Sequence, residues 1–143
     1  MNIFKKFKNL VESLSNEIYV DNEGGEAVGY ATETSSEKVD NWINQRHKLN
    51  NNDFVKYLRD NYETIAFLNN MNVDESLRGQ GHGSDLLDQF IEKAGNELAE
   101  AIVLFADTQE EQEEGFYLVS FYESYDFEIV KAYPDGVLMI LEF

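Results

Sequence analysis

Three glycines at alternate positions, Gly79, Gly81 and Gly83, are the clearest chemical feature of the sequence. They lie in the segment from Val73 to Ser84, between an apolar run and an amphipathic helical pattern. Because glycine has no Cβ, such a loop lets main-chain N–H groups converge, and the following helix directs its positive end at the same place. Arg78 adds a side-chain cation. The pattern therefore predicts an anion site, most naturally for a pyrophosphate.

Two familiar phosphate-binding motifs do not fit this loop. A Walker loop needs Gly-Lys-Ser/Thr after four variable positions, and Gly83-Ser84 offers no lysine. A dinucleotide fingerprint needs a third glycine three positions after the second, but Ser84 stands there, and no strand-borne Asp or Glu follows in the expected context. The loop is therefore of another type.

Other reactive groups must come from tyrosines, carboxylates or a bound cofactor. The sequence has no Cys and two His, which excludes disulfides, thiol nucleophiles and Cys-zinc sites, and we predict no metal site. Tyr122 and Tyr125 lie in an aromatic segment that also fits a helix face packed in a core. Each carboxylate of so acidic a chain is by default a solvated surface charge.

The loop resembles the signature of the Gcn5-related N-acetyltransferase (GNAT) family, Arg/Gln-x-x-Gly-x-Gly/Ala, which Arg78-Gly79-Gln80-Gly81-His82-Gly83 satisfies. The run from Phe121 to Phe127 is similar to the family's second motif, Phe/Leu-Tyr-x-x-x-Gly-Phe. Asp126 replaces its glycine, and Asp enters left-handed turns more readily than most residues. The resemblance covers about residues 64–143, and this C-terminal half also resembles small phage-encoded acetyltransferases, including anti-CRISPR ones that acetylate a lysine of a protein target.

The resemblance implies transfer of an acetyl group from acetyl-CoA to an amine by direct attack. It assigns the pantetheine arm to the strand end and the pyrophosphate to the loop, so that the cofactor-binding residues are Met71, Asn72, Val73, Arg78, Gly79, Gln80, Gly81, His82, Gly83 and Ser84. Tyr122 occupies the position of the family's acid, and Tyr125 is the alternative. The base is Glu63 at the start of the central strand, Asp107 or Glu110 after the next strand, or a relayed water.

A second hypothesis is a catalytically silent protein that keeps the fold as a binding or inhibitory module. Its acidic surface would imitate nucleic acid and occupy a basic groove on a partner. The acceptor of the enzyme hypothesis stays open among a small amine, a protein lysine and an N-terminal amine. Dimers are common among proteins that resemble this family, and the sequence leaves the oligomeric state open.

The elements that must position these groups follow from hydrophobic periodicity and turn residues. The sequence predicts an amphipathic helix over 3–14, strands over 17–20 and 27–34, helices over 35–48 and about 52–61, a central strand over 64–73, a helix over 83–98, a strand over 101–106, a helix over 116–125, and strands over 127–132 and 137–141. This order predicts an α/β (α+β mixed) fold with a central mixed, mostly antiparallel sheet flanked by helices. We expect one domain over residues 1–143, with the helices of about 35–61 as an insertion that shapes the acceptor site.

Charge and hydropathy bound the partners. The 143 residues carry 11 Lys+Arg and 28 Asp+Glu, a net charge of −17, which disfavours broad nucleic-acid binding and favours cationic partners. The acidic run from Asp107 to Glu114 predicts attraction of a lysine-bearing or polycationic acceptor. No apolar run reaches the length of about 20 residues that a membrane span needs, so we expect a cytoplasmic protein without membrane contact.

Overall fold

The computed structural model of the protein describes residues 17–45, 51–108 and 118–143. The predicted N-terminal helix over 3–14 lies outside these residues. So does most of the acidic run, including Glu110.

One mixed sheet forms the centre of the described structure. Its six strands are β1 (Glu17–Asn22), β2 (Gly25–Glu33), β3 (Thr64–Val73), β4 (Ala101–Asp107), β5 (Glu128–Tyr133) and β6 (Gly136–Glu142), in the order β1-β2-β3-β4-β6-β5. Strands β3 and β4 are parallel, and every other neighbouring pair is antiparallel. The predicted fold class is therefore confirmed.

Helices cover both faces of this sheet. They are α1 (Glu37–Gln45), α2 (Asn52–Asn61), α3 (His82–Asn96) and α4 (Leu118–Glu123), with a 3-10 turn over Glu75–Leu77. Side chains cap α1 and α2: Ser36 Oγ accepts from the Lys38 N–H at 3.1 Å, and Asn51 Oδ1 accepts from the Phe54 N–H at 3.1 Å. Helix α4 ends two residues earlier than predicted, since the chain turns through Asp126, whose φ is 71°. None of the described helices is long and apolar enough to cross a membrane.

The first half of β3 and most of β4 are buried on both faces, which explains why these stretches are nearly continuous apolar runs. On one face, Ala66, Leu68, Ile102 and Leu104 pack with buried residues of α3 and α4. On the other face, Ile65, Phe67, Ala101 and Val103 pack with Val39 and Ile43 of α1 and with Phe54 and Leu58 of α2. The helices between β2 and β3 thus form one of the two layers that enclose the sheet.

The parallel pair separates at its carboxyl end. Residues of β3 and β4 are paired at Ala66–Ile102, Phe67–Val103 and Leu68–Leu104, although β3 continues to Val73 and β4 to Asp107. Beyond Leu68, β3 pairs with β2, whereas β4 pairs with β6. The register with β2 passes from Gly29–Leu68 to Val28–Asn70, so Asn69 is the extra residue of a β-bulge. The two strands therefore leave a gap between them, which we call the strand gap.

Candidate functional site

The glycine loop follows the strand gap directly, between the end of β3 and the start of α3. Gly79 has φ 80° and Gly81 has φ 85°, both in the left-handed region that favours glycine. A Cβ added at either position would meet no atom within 4 Å, so these glycines serve the backbone conformation and do not avoid a clash. Gly81 is the N-cap residue of α3. The sequence prediction of a loop shaped by glycine is confirmed in its backbone conformation.

The loop presents a continuous row of main-chain donors. Helical bonding begins with the Asp85 N–H, which donates to the Gly81 carbonyl at 3.1 Å. Within the part of the chain that the structure describes, the six N–H groups from Gly79 to Ser84 have no hydrogen-bond partner. Gly79, Gln80 and Gly81 are exposed, and the next three residues are half-buried. Such a row at the positive end of a 15-residue helix is suited to binding an anion.

The hairpin turn between β1 and β2 holds this loop in place through Asn22. The Asn22 Oδ1 accepts from the N–H groups of Gly24 and Gly25 at 2.8 and 3.1 Å. Its Nδ2 donates to the His82 carbonyl at 3.0 Å and to Asp85 Oδ2 at 2.9 Å. The side chain therefore joins the turn to the first residues of α3. Hydrogen bonds from Asn22 and then from Gln89 lower the pKa of the Asp85 carboxyl.

His82 contributes to the same junction by packing. A Cβ on Gly24 would lie 2.3 Å from His82 Cγ, so the imidazole lies directly against the glycine of the turn. The Asp74 N–H also donates to the Gly24 carbonyl at 2.7 Å, which ties the far end of β3 to the same turn.

The remaining predicted cofactor residues lie in line with the loop. Met71 and Val73 are half-buried and pack against the core on the α3 face, and Asn72 is exposed and paired with Glu26 of β2. Arg78 is exposed, and its Nε donates to the Val73 carbonyl at 3.3 Å. The ten residues predicted for the cofactor thus run from the open edge of β3 through the turn into α3.

Tyr122 lies on α4 near this loop but faces the core. It is 6% exposed, and its ring contacts those of Phe121 and Phe127 at centroid distances of 5.3 and 5.6 Å. Burial raises the pKa of its phenol well above the ordinary value, so Tyr122 keeps its proton through the neutral range. Tyr125 is half-buried, and its hydroxyl donates to the Ser84 carbonyl at 3.2 Å. Tyr125 therefore anchors α4 to the start of α3.

The candidate bases Glu63 and Asp107 lie at opposite ends of the central strands β3 and β4. Glu63 precedes β3 and is exposed, so ten strand residues separate it from the loop, and its N–H donates to Glu100 Oε1 at 3.1 Å. The structure does not bring Glu63 together with Tyr122 or the loop. Asp107 is half-buried at the carboxyl end of β4, which is the end at which the strand gap opens.

Sequence reasoning missed three residues that hold the site. Asn22 is of a residue type common in turns, and no local pattern indicates its hydrogen-bond partners about sixty positions away. Asn69 lies in a polar stretch of β3, where a bulge is not visible from alternation alone. No sequence pattern indicates a role for Trp42, whose Nε1 donates to Asn69 Oδ1 at 2.7 Å.

Comparison with known proteins places these features in a family. A profile of the acetyltransferase (GNAT) family matches residues 3–127. No curated protein sequence matches the chain. Similar solved structures include the anti-CRISPR protein AcrVA5, at 20% identity and a TM-score of 0.53, where 89% of this chain and 99% of that chain are covered.

Two further solved structures are similar. The polyamine N-acetyltransferase of Drosophila melanogaster, which forms N-acetylagmatine, has 9% identity and a TM-score of 0.64, with 100% of this chain and 82% of that chain covered. The PaiA N-acetyltransferase of Thermoplasma acidophilum, solved in complex with coenzyme A, has 12% identity and a TM-score of 0.58, with coverages of 98% and 70%. At these identities the similarities establish a shared fold.

Proposed function

We propose that this protein, which belongs to the acetyltransferase (GNAT) family, transfers the acetyl group of acetyl-CoA to a primary amine. The observation that carries the proposal is one juxtaposition. Main-chain donors from Gly79 to Ser84, which have no partner among the described residues, form a row that adjoins the open edge of β3 at the strand gap. The row fits a diphosphate and the strand edge fits an amide-containing arm, and coenzyme A carries both groups on one molecule.

The fit to the diphosphate rests on hydrogen-bond donors more than on charge. The chain has a net charge of −17, and Asp74, Glu75 and Asp85 are exposed near the loop. An anion therefore needs directed N–H donors, the positive end of α3 and the guanidinium of Arg78 to offset this field. We assign the diphosphate to Gly79 through Ser84, with Arg78 as its side-chain partner.

The pantetheine arm is assigned to the carboxyl half of β3. Past Leu68 this strand has a hydrogen-bonded neighbour on the β2 side, whereas its pairing with β4 has ended. Because successive strand residues direct their main-chain groups to alternate sides, Met71 and Val73 can together pair with the amides of the arm, as another strand would. When bound, acetyl-CoA supplies a thioester carbonyl for the amine to attack.

In the reaction, a C–N bond forms between the amine and the carbonyl carbon, and the C–S bond breaks. The departing sulfur takes up a proton, and the amine nitrogen loses one. We assign the proton donor to Tyr122, whose buried phenol is fully protonated at neutral pH. A raised pKa makes the phenol a weak acid, so donation must be concerted with C–S cleavage.

The base is assigned to Asp107 or to a water that it orients. Asp107 lies at the edge where the strand gap opens, whereas Glu63 lies at the far end of β3. An ammonium has a pKa near ~10 and must lose its proton before attack, which a carboxylate beside the gap can promote through water. For the acceptor we propose an amine that is cationic at neutral pH, as the acidic chain favours, and the polyamine enzyme of Drosophila makes polyamines first candidates.

The test is mass spectrometry of acceptors incubated with the protein and acetyl-CoA. The acceptors are spermidine, agmatine and a library of lysine-containing peptides, and isothermal titration with acetyl-CoA is run in parallel. Tyr122→Phe and Tyr125→Phe form a matched pair, because each removes one phenol hydroxyl. We expect Tyr122→Phe to lower kcat at least tenfold with unchanged acetyl-CoA affinity, and Tyr125→Phe to retain most of kcat.

Three results would contradict parts of the proposal. If acetyl-CoA does not bind, the cofactor site is wrong. Binding without acetyl transfer to any acceptor would favour the silent binding module. If the Tyr125 variant loses kcat and the Tyr122 variant does not, the acid has been assigned to the wrong tyrosine.

A further inference from the structure

The bulge of β3 is held by α1, which packs on the face of the sheet opposite to α3. Trp42 of α1 donates its Nε1–H to Asn69 Oδ1 at 2.7 Å, and Asn69 is the extra residue of the bulge. Leu68, the residue before it, is the last residue of β3 paired with β4. The hydrogen bond therefore reaches β3 at the point where the two strands separate.

Trp42 is itself fixed by packing. It is 5% exposed, and its ring stacks on Phe67 with centroids 4.4 Å apart and an interplanar angle of 19°. Phe67 also contacts the ring of Tyr30 at 5.5 Å. A buried and stacked indole has little freedom to follow a moving partner, so the bond holds Asn69 to α1.

The other side of the bulge is equally confined. A Cβ on Gly29 would lie 1.9 Å from the Phe67 carbonyl oxygen and 2.8 Å from Phe90 Cζ. Only glycine allows β2 to approach β3 this closely. Trp42 and Gly29 thus contact β3 at and beside the bulge from two different elements.

We propose that Trp42 is a positioning residue that, through Asn69, fixes the bulge and so orients Met71 to Val73 towards the thioester arm. This inference rests on the proposed function, because it assigns a role in that same site. Bulges beside active sites re-aim the residues that follow them. An error of about 1 Å in the placement of a reacting group can cost as much as about a hundredfold in rate.

The Trp42–Asn69 hydrogen bond should affect the orientation of the thioester more than the affinity for acetyl-CoA. The diphosphate loop has its own support in Asn22, which reaches His82 and Asp85 from the β1–β2 turn. Loosening the bulge should therefore leave the loop intact while the thioester loses its alignment. We expect Trp42→Phe, which keeps an aromatic ring on Phe67 but removes the donor, to lower kcat about tenfold. The KM for acetyl-CoA should stay within about threefold of wild type.

A spectroscopic measurement tests the inference without knowledge of the acceptor. The chain has one tryptophan, so its ¹⁵N-labelled indole gives one N–H resonance that reports on the bond to Asn69. We expect acetyl-CoA to shift this resonance in the wild type. In Asn69→Leu, which removes the acceptor oxygen, the shift should be lost although acetyl-CoA still binds. Asn69→Asp keeps an oxygen for Trp42 and should retain the response.

Thr34→Val is the matched control, because it also removes a 2.7 Å hydrogen bond of a buried side chain. Thr34 Oγ1 donates to the Tyr62 carbonyl near the start of β3, at the end opposite to the strand gap. Thr34→Val should leave the indole response and kcat unchanged, and thermal unfolding of every variant checks its fold. If calorimetry shows no binding of acetyl-CoA, the proposed function fails and this inference with it. If acetyl-CoA binds but the wild-type indole does not respond, or Asn69→Leu responds as the wild type does, this inference alone is wrong.

Discussion

Replacement of Gly81 by alanine tests whether the backbone conformation of the loop creates the diphosphate site. Gly81 has φ 85° and ψ 3°, and a Cβ there would meet no atom within 4 Å. The substitution therefore introduces no clash, and its cost is the preference of an L-residue for negative φ. For a non-glycine residue that cost is about 1–2 kcal/mol, and the reduced freedom of the unfolded chain offsets about half of it.

The expected loss of stability is thus about 1 kcal/mol, which lowers the melting temperature by about 3 °C for a chain of this size. The effect on coenzyme A should be larger. If the loop relieves its strain by rotating φ, two neighbouring N–H groups turn away from the anion. Each hydrogen bond to a charged group contributes about 1.5 kcal/mol or more, so the Kd should rise about a hundredfold.

Gly83→Ala is the matched control because it adds the same methyl group two residues later. Gly83 does not have a positive φ, and its Cβ would lie 3.7 Å from Val73 Cγ2 and 3.8 Å from Phe121 Cζ, which is ordinary contact. This variant should bind coenzyme A as the wild type does and should be no less stable, since alanine favours helix. Gly81→Asn should retain part of the affinity, because Asn tolerates positive φ.

Isothermal titration with coenzyme A and differential scanning calorimetry measure both quantities. Wild-type affinity in Gly81→Ala would refute the assignment of the anion to this loop. An equal loss of affinity in Gly81→Ala and Gly83→Ala would show that added bulk, and not backbone conformation, matters there.

Three other predictions concern the support of the loop, alkaline stability and the acceptor. Asn22→Asp keeps an oxygen for the turn but loses the N–H donor to His82 and Asp85. In steady-state kinetics the KM for acetyl-CoA should therefore rise about fivefold with kcat unchanged. Adding Asp85→Asn should restore the wild-type KM. Burial raises the pKa of Tyr122 above its unfolded value near ~10, so the unfolded chain loses that proton first. Stability is therefore complete below about pH 10 and falls as the pH rises further, and urea unfolding should show a shallower decline in Tyr122→Phe. For a cationic acceptor, kcat/KM should fall as NaCl increases, because a chain of net charge −17 attracts it electrostatically; an unchanged value would remove this steering role.

The glycine loop and the central strand could be predicted because their determinants are local. Strand β3 has the predicted bounds Thr64–Val73, since its apolar run contains neither Gly nor Pro and both of its faces are buried in the first half. The positive φ of Asp126, 71°, agrees with its replacement of a glycine in the second motif. These features depend on the residue types within one short segment, so they can be predicted from a single sequence.

The supports of the site could not be predicted, because they join residues distant in the chain. Asn22 and Asp85 are separated by 63 positions, and Trp42 and Asn69 by 27. The bulge is equally hidden, because Asn69 differs from its polar neighbours in β3 only through its register with β2. Side-chain amides form such bonds wherever tertiary structure brings a partner, so no local pattern distinguishes them from solvated turn and strand residues.

The two supports of the site, Asn22 and Trp42, act from opposite faces of the sheet. The loop belongs to the α3 face and is held by Asn22, whereas the bulge is held from the other face by Trp42 of α1. A parallel pair that separates must keep its open end from closing, because the unpaired main-chain N–H and C=O groups of the two strands could otherwise pair with each other. We expect the hydrogen bonds of Asn22 and Trp42 to oppose that closure from the two faces of the sheet. Helix α1 therefore supports the site itself, and we expect loss of the Asn22 bonds and loss of the Trp42 bond to affect different kinetic constants.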